Sequence, residues 1–159
     1  MKQSVRKNIK KEYKVKEKDK VKVNRKRVKV GTSKLEERFA KNFVEKLNLK
    51  YEYQFEAKSI GRFYDFYLPE KHLLIEVDGD YYHSNPEKVD KNNLSPMQKR
   101  NKRVDEAKNM WAALNGIPLI RIWENDINNN PEKVMEMLKK RLYIIDEKQK
   151  INENKKKRH

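Results

Sequence analysis

The chain has 159 residues, no cysteine, 40 Lys and Arg against 24 Asp and Glu, and a formal net charge of +16. One compact domain with tails suits that length. Disulfides and cysteine-rich zinc sites are excluded. No apolar run is long enough to span a bilayer, so a cytoplasmic protein with no membrane partner is expected. The charge is concentrated at the ends. Residues 1–30 carry 14 Lys/Arg against 3 Asp/Glu, residues 146–159 carry 6 against 3, and residues 31–145 carry 20 against 18. A near-neutral globule with basic ends points to a polyanionic partner, most simply nucleic acid. A merely solubilising lysine-rich tail is the bland alternative.

Residues 1–31 lack the apolar content of a core and are expected to form a flexible basic arm along a phosphate backbone. The core domain is expected over 32–143, and a basic C-terminal tail over 144–159. Ser33 followed by Glu36 has the form of a capping box, so a helix starts there. Leu35, Phe39, Phe43 and Leu47 stand four apart and give it an apolar face. Two roles are open to Glu36. It can reach back to cap its own helix, or it can point at a cluster of acids further along.

Residues 51–57 alternate apolar and polar and predict a half-buried strand. Two more strands follow, aromatic-rich over 62–68 and aliphatic over 73–78, joined by Pro69-Glu70-Lys71-His72. A turn centred near Glu70 and Lys71 sets Asp65 opposite Glu76. Asp65, Glu76 and Asp78 then share one face, and Tyr64, Phe66, Leu68, Leu73, Ile75 and Val77 take the other. A slip of one residue would break the cluster. Three carboxylates on one patch repel each other unless a cation joins them. Mg²⁺, which favours oxygen ligands, is the expected one. A solvated sheet face with scattered acids is the competing explanation.

The loop over 79–93 carries Tyr81, Tyr82 and His83. Lying five positions beyond Asp78, His83 is a candidate for proton transfer, although an isolated histidine is more often structural. Ser95-Pro96 begins a second helix, Val104, Ala107, Trp111 and Leu114 trace its apolar stripe, and Gly116 ends it. Lys99, Arg100, Lys102 and Arg103 make its first half basic. Asp105 interrupts that run, and an ordinary intrahelical ion pair would account for it. A short strand over 118–123 has Arg121 at its middle and Trp123 expected in the core. Asn130-Pro131 begins a third helix with Val134, Leu138 and Leu142 in register. The whole predicts an α/β domain with a mixed sheet flanked by helices.

An acid-bearing helix, an Asp on one strand and Glu-Val-Asp on the next resemble the PD-(D/E)XK nuclease fold, of the restriction-endonuclease-like type. More closely, I-E-V-D-G-D-Y-Y-H resembles the signature of very-short-patch-repair endonucleases and of the phage homing endonucleases named for an EDxHD pattern. Asp105 on a basic helix, Gly116, the apolar strand over 119–122 and Trp123-Glu124 extend the likeness, which covers about residues 33–126. The resemblance implies a DNA endonuclease that hydrolyses phosphodiester bonds with Mg²⁺ or Mn²⁺ and needs no small-molecule cofactor. It would act in a bacterial or phage-infected cytoplasm. The resemblance makes Asp65 the primary metal ligand, and Glu36, His83 and Asp105 catalytic partners. Glu76 and Asp78 are added to the metal set by the carboxylate patch. Tyr81 and Tyr82 match paired aromatics that enter the DNA stack in the repair enzymes, or they merely cover a sheet edge. Two departures matter. The superfamily lysine, two places after the second acid, is Asp78 here. The cysteines of the repair enzymes' zinc site are missing, so no structural zinc is expected. A DNA-binding or recombination accessory protein without turnover, and a nuclease selective for mismatched or branched DNA, are the alternatives.

Overall fold

The structure is a computed structural model that describes residues 32–157. The predicted basic arm, residues 1–31, lies outside the described residues, as do Arg158 and His159.

Helix α1 (Lys34–Phe39) starts where the sequence predicts. The Ser33 hydroxyl accepts a hydrogen bond from the Glu36 amide at 3.2 Å. It continues as a wider π turn over Ala40–Val44, in which the Glu45 amide donates to the Ala40 carbonyl. Phe39, Ala40, Phe43 and Val44 are buried, and the Phe39 and Phe43 rings stack at 5.2 Å.

Four strands form one mixed sheet in the order β1 (Glu52–Ala57), β2 (Arg62–Leu68), β3 (Leu73–Asp78) and β4 (Leu119–Trp123). The first two pairings are antiparallel and β3–β4 is parallel, as a helical crossover between them requires. The β2–β3 connection is a 3-10 turn over Pro69–Lys71, and His72 closes it in the left-handed region at φ 48°. Phe66 pairs with Ile75, so the register sets Asp65 across from Glu76, as expected. Every residue of β3 is buried, because helices cover both faces of the sheet.

The larger core cluster joins α1, β2, β3 and β4 through Phe39, Phe66, Leu68, Ile75, Val77 and Ile122. Tyr64 departs from the expected face. It packs with Ala57, Leu74 and Ala112 in a second cluster. The reason lies in the β1–β2 ribbon. Tyr53 and Phe66 belong to the first cluster, whereas the next pair on the same side, Phe55 and Tyr64, belongs to the second. The change of face falls at Gln54, whose φ is 56°, in the left-handed region.

Helix α2 (Pro96–Asn115) has a complete capping box between Ser95 and Gln98, and Gly116 ends it at φ 68°. Its inward face is not the expected stripe. Gln98, Lys108 and Ala112 are the buried positions, and Leu114 is exposed. Helix α3 (Glu124–Asn129), which sequence reading did not anticipate, follows β4, and Trp123 before it is half-buried rather than in the core. Helix α4 (Pro131–Lys156) buries Val134, Leu138 and Leu142 as expected. It also runs through most of the segment expected to be a separate tail, and the Lys71–Asp146 ion pair at 2.6 Å ties that part to the β2–β3 turn. Among the described residues, no helix is long and apolar enough to cross a membrane.

Candidate functional site

The ladder between β2 and β3 stops one pair short of the acids, after Phe66 and Ile75. Beyond that point two carboxylates take over from backbone carbonyls. The Asp65 amide donates to Glu76 Oε1 at 3.2 Å, and the Val77 amide donates to Asp65 Oδ2 at 2.7 Å. The strands part here, and the gap is lined by acid side chains. Burial pushes the Asp65 carboxyl well above the usual carboxylate range, and the Glu76 charge pushes the same way. The bond from Val77 and the Lys108 charge oppose them. Burial also raises Glu76, against the pull of Lys108.

Lys108 reaches this gap from α2. Its ammonium lies 2.5 Å from Glu76 Oε2 and 5.0 Å from the centre of the Tyr64 ring. The Tyr64 hydroxyl donates to the Lys108 carbonyl at 2.6 Å and so ties helix to strand. On the other side of the gap, Glu36 accepts from Gln54 Nε2 at 3.4 Å, and its charge bears on Asp65. Of the two roles open to Glu36, its side-chain contact is with the sheet near the acids.

Asp78 belongs to a second group. Both of its oxygens lie 2.8 Å from Arg121 Nη1, and Arg121 stands beside Glu76 in the parallel register of β3 and β4. Asp105 Oδ2 meets His83 Nδ1 at 2.8 Å, and Asp105 Oδ1 lies 3.4 Å from Arg121 Nη2. Asp105 is therefore not in an intrahelical pair; its contacts cross to the loop and to β4. Burial acts to lower the His83 pKa. The Asp105 hydrogen bond and the charges of Asp78 and Asp105 outweigh it, and the net shift is upward. The expected trio is thus divided: Asp65 and Glu76 stand at the strand gap, whereas Asp78 joins His83 and Asp105.

Two donor sets can be tested for a divalent cation. Ligand atoms of Asp78, His83 and Asp105 lie within 4.8 Å of one another. That set already holds the Arg121 guanidinium, which contacts both acids. At the strand gap, the Lys108 ammonium contacts Glu76, the Arg121 charge also acts on Glu76, and the Glu36 charge bears on Asp65. The gap offers oxygen donors only, the chemistry that Mg²⁺ and Mn²⁺ favour, whereas among the described residues Asp78, His83 and Asp105 are the set that brings three ligand atoms together.

The loop between β3 and α2 is fixed by polar side chains. Gln98 Nε2 donates to the Tyr81 carbonyl at 2.8 Å, and Asn101 Nδ2 to the Tyr82 carbonyl at 3.0 Å. The two tyrosine rings remain outside, 59% and 57% exposed, and meet edge to face at 5.6 Å. Asn85, 2% exposed, donates to Asp80 Oδ1 at 2.7 Å and accepts from the Glu87 amide at 3.0 Å. Asn85→Ala should leave the Glu87 amide without its partner and Asp80 Oδ1 with the Asn125 amide alone, at a cost of about 1–3 kcal/mol. A fall in melting temperature with faster amide exchange over 79–93 is the expected reading, and an unchanged melt would show that the staple holds nothing.

Lys99, Arg100, Lys102 and Arg103 are all exposed on the first half of α2, the same helix that delivers Asp105 and Lys108 inward. Sequence reading missed Lys108, Gln98 and Asn101 as site residues and left Arg121 without a role. A signal for them was present. Gln98, Asn101, Asp105 and Lys108 repeat at helical spacing and place polar groups on one face. No protein-family model matches this chain, and no curated protein matches it either.

Proposed function

We propose that the chain is a divalent-metal-dependent DNA endonuclease of the PD-(D/E)XK type, in the branch of the very-short-patch-repair and EDxHD homing enzymes. The observation that carries the reading is the pairing of two arrangements along β3. Asp65 and Glu76 face each other where the strands part, and the His83–Asp105 pair stands just beyond the strand's C-terminal end. A bound Mg²⁺ or Mn²⁺ would polarise a phosphoryl oxygen and make water acidic enough to attack at neutral pH.

The chain's own residues supply the rest. Asp65 and Glu76 would hold the cation, with the Glu36 charge bearing on Asp65. Asp105 holds His83 through Nδ1, which leaves Nε2 to take a proton from the attacking water. Arg121 fixes Asp78 and Asp105, so the histidine's partners stay in place. Lys99, Arg100, Lys102 and Arg103 bind backbone phosphates. Tyr81 and Tyr82, held by their carbonyls, present aromatic faces to unstacked bases. Hydrolysis leaves 5′-phosphate and 3′-hydroxyl ends, as the resemblance implies.

Supercoiled plasmid incubated with the chain and Mg²⁺ tests this reading. Conversion to nicked or linear DNA that stops with EDTA is expected. Binding without cleavage under every metal condition would favour the accessory-protein alternative. Comparison of linear, branched and mismatched duplexes then defines the preferred structure.

Residues 1–30, outside the described part, enter through their charge. Deleting them removes +11 of the +16. The deletion should leave folding and low-salt cleavage intact but weaken DNA binding, and the slope of log K against log [salt] should fall by roughly 3–6. An unchanged slope would remove the arm as an electrostatic anchor.

A further inference from the structure

We propose that Lys108 is the resident counter-ion of the strand gap, neutralising Glu76 in the metal-free protein and competing with the divalent cation for it. The inference rests on the metal-site reading above and adds a regulator of that site. Glu76 divides its two oxygens. Oε1 takes the Asp65 amide, and Oε2 takes the Lys108 ammonium at 2.5 Å. Lys108 is 8% exposed and Glu76 2% exposed, so little water screens the pair. Among the described ion pairs, Lys108 is the one cation on Glu76, and none is formed by Asp65. Tyr64 meets Lys108 twice: its hydroxyl donates to the Lys108 backbone carbonyl, and its ring lies under the Lys108 ammonium.

Such a lysine has two consequences of opposite sign. It permits two carboxylates to be buried side by side without a metal. It also repels any cation that approaches Asp65 and occupies the oxygen that cation would take. Metal affinity is therefore set below what the acids alone would give, and loading becomes sensitive to the metal concentration. Asp105 lies three residues earlier on α2, but its contacts with His83 and Arg121 do not involve Lys108. Removing Lys108 therefore leaves the proton-transfer pair intact.

The test is calorimetric titration of Mn²⁺ into the full-length chain and its Lys108→Met variant, without DNA. The variant should bind about tenfold more tightly, since one unit of nearby positive charge is gone. Its metal-free melting temperature should fall, because Glu76 is left buried and unpaired. Added Mn²⁺ should raise its melting temperature more than that of the wild type. Equal or weaker binding by the variant overturns the proposal. If Lys108→Met does not fold, Lys108→Gln replaces it, which can keep a donor for Glu76 Oε2 without the charge. Lys108→Gln should likewise bind Mn²⁺ more tightly than the wild type, and equal or weaker affinity overturns the proposal. Failure of wild type and variants alike to bind Mn²⁺ would sink the metal-site reading itself, whereas binding by all at one affinity sinks only the role of Lys108.

Discussion

Asp65→Asn is expected to lower cleavage by roughly 10³-fold or more, the scale of losing a principal charge-stabilising group. DNA binding should persist, because Lys99, Arg100, Lys102 and Arg103 lie on the outside of α2 and do not depend on Asp65. Stability should move the other way from activity. Burial and the Glu76 charge raise the Asp65 pKa in the folded protein above its usual 3.8. The folded state therefore binds that proton more tightly than the unfolded state does. The penalty for the charge is absent below the unfolded value and complete above the folded one. At neutral pH, without metal, Asp65→Asn should melt no lower than the wild type, and higher if the asparagine keeps its bond from the Val77 amide. Added Mn²⁺ should stabilise the wild type and not the variant. Cleavage by the variant at a rate near that of wild type would remove Asp65 from the site.

His83→Ala is expected to lower turnover by about 10²–10⁴-fold. The pH profile separates proton transfer from a structural role. The folded-state pKa of His83 is raised above 6.5, because its Asp105 hydrogen bond and the two nearby acids outweigh the lowering effect of burial. A histidine that accepts a proton works in its neutral form. The wild-type rate should therefore rise with pH through a midpoint above 6.5 and then level off, and His83→Ala should lose that step. The stability linkage has the opposite course. The stabilisation that protonated His83 gains from Asp105 and Asp78 is fully present below 6.5 and is lost as pH rises through the folded-state value. The difference in melting temperature between wild type and His83→Ala should shrink from about pH 6 to about pH 9. A rate that is flat over that range, or equal in the variant, would return His83 to a structural role.

How far the site was legible depended on what kind of constraint each residue carried. Asp65 and Glu76 could be set opposite each other because a short turn at Glu70 and Lys71 leaves the hairpin little freedom in register. His83 stood out by its place five residues beyond Asp78 and Asp105 by resemblance, and the structure brings them together across the β3–α2 loop at 2.8 Å. Asp78 and Glu76 lie on one sheet face as expected. Their different partners on β4 and α2 could not be read from the hairpin alone.

Lys108 escaped notice for a physical reason. A search for apolar periodicity finds Val104, Ala107, Trp111 and Leu114, whereas the buried face of α2 is built around Gln98, Lys108 and Ala112. A helix that covers a polar site turns charged groups inward, and the apolar stripe then marks its flank. Tyr64 was misplaced because alternation assumes a regular ribbon, and glutamine at position 54 gives no warning of a left-handed φ. The end of the C-terminal helix, beyond residue 143, was read as a tail because lysine-rich composition suggests solvation. Lys and Glu are also good helix formers, and pairs such as Glu147–Lys150 at 2.8 Å support the helix along its exposed side.

The most direct measurement is single-turnover cleavage of one labelled duplex by wild type and Asp65→Asn, side by side, across a Mg²⁺ titration that includes EDTA. Product with 5′-phosphate ends is expected from the wild type alone, rising with Mg²⁺ and absent in EDTA. Equal cleavage by both proteins, or cleavage by the wild type that persists in EDTA, would contradict a metal-dependent nuclease centred on Asp65.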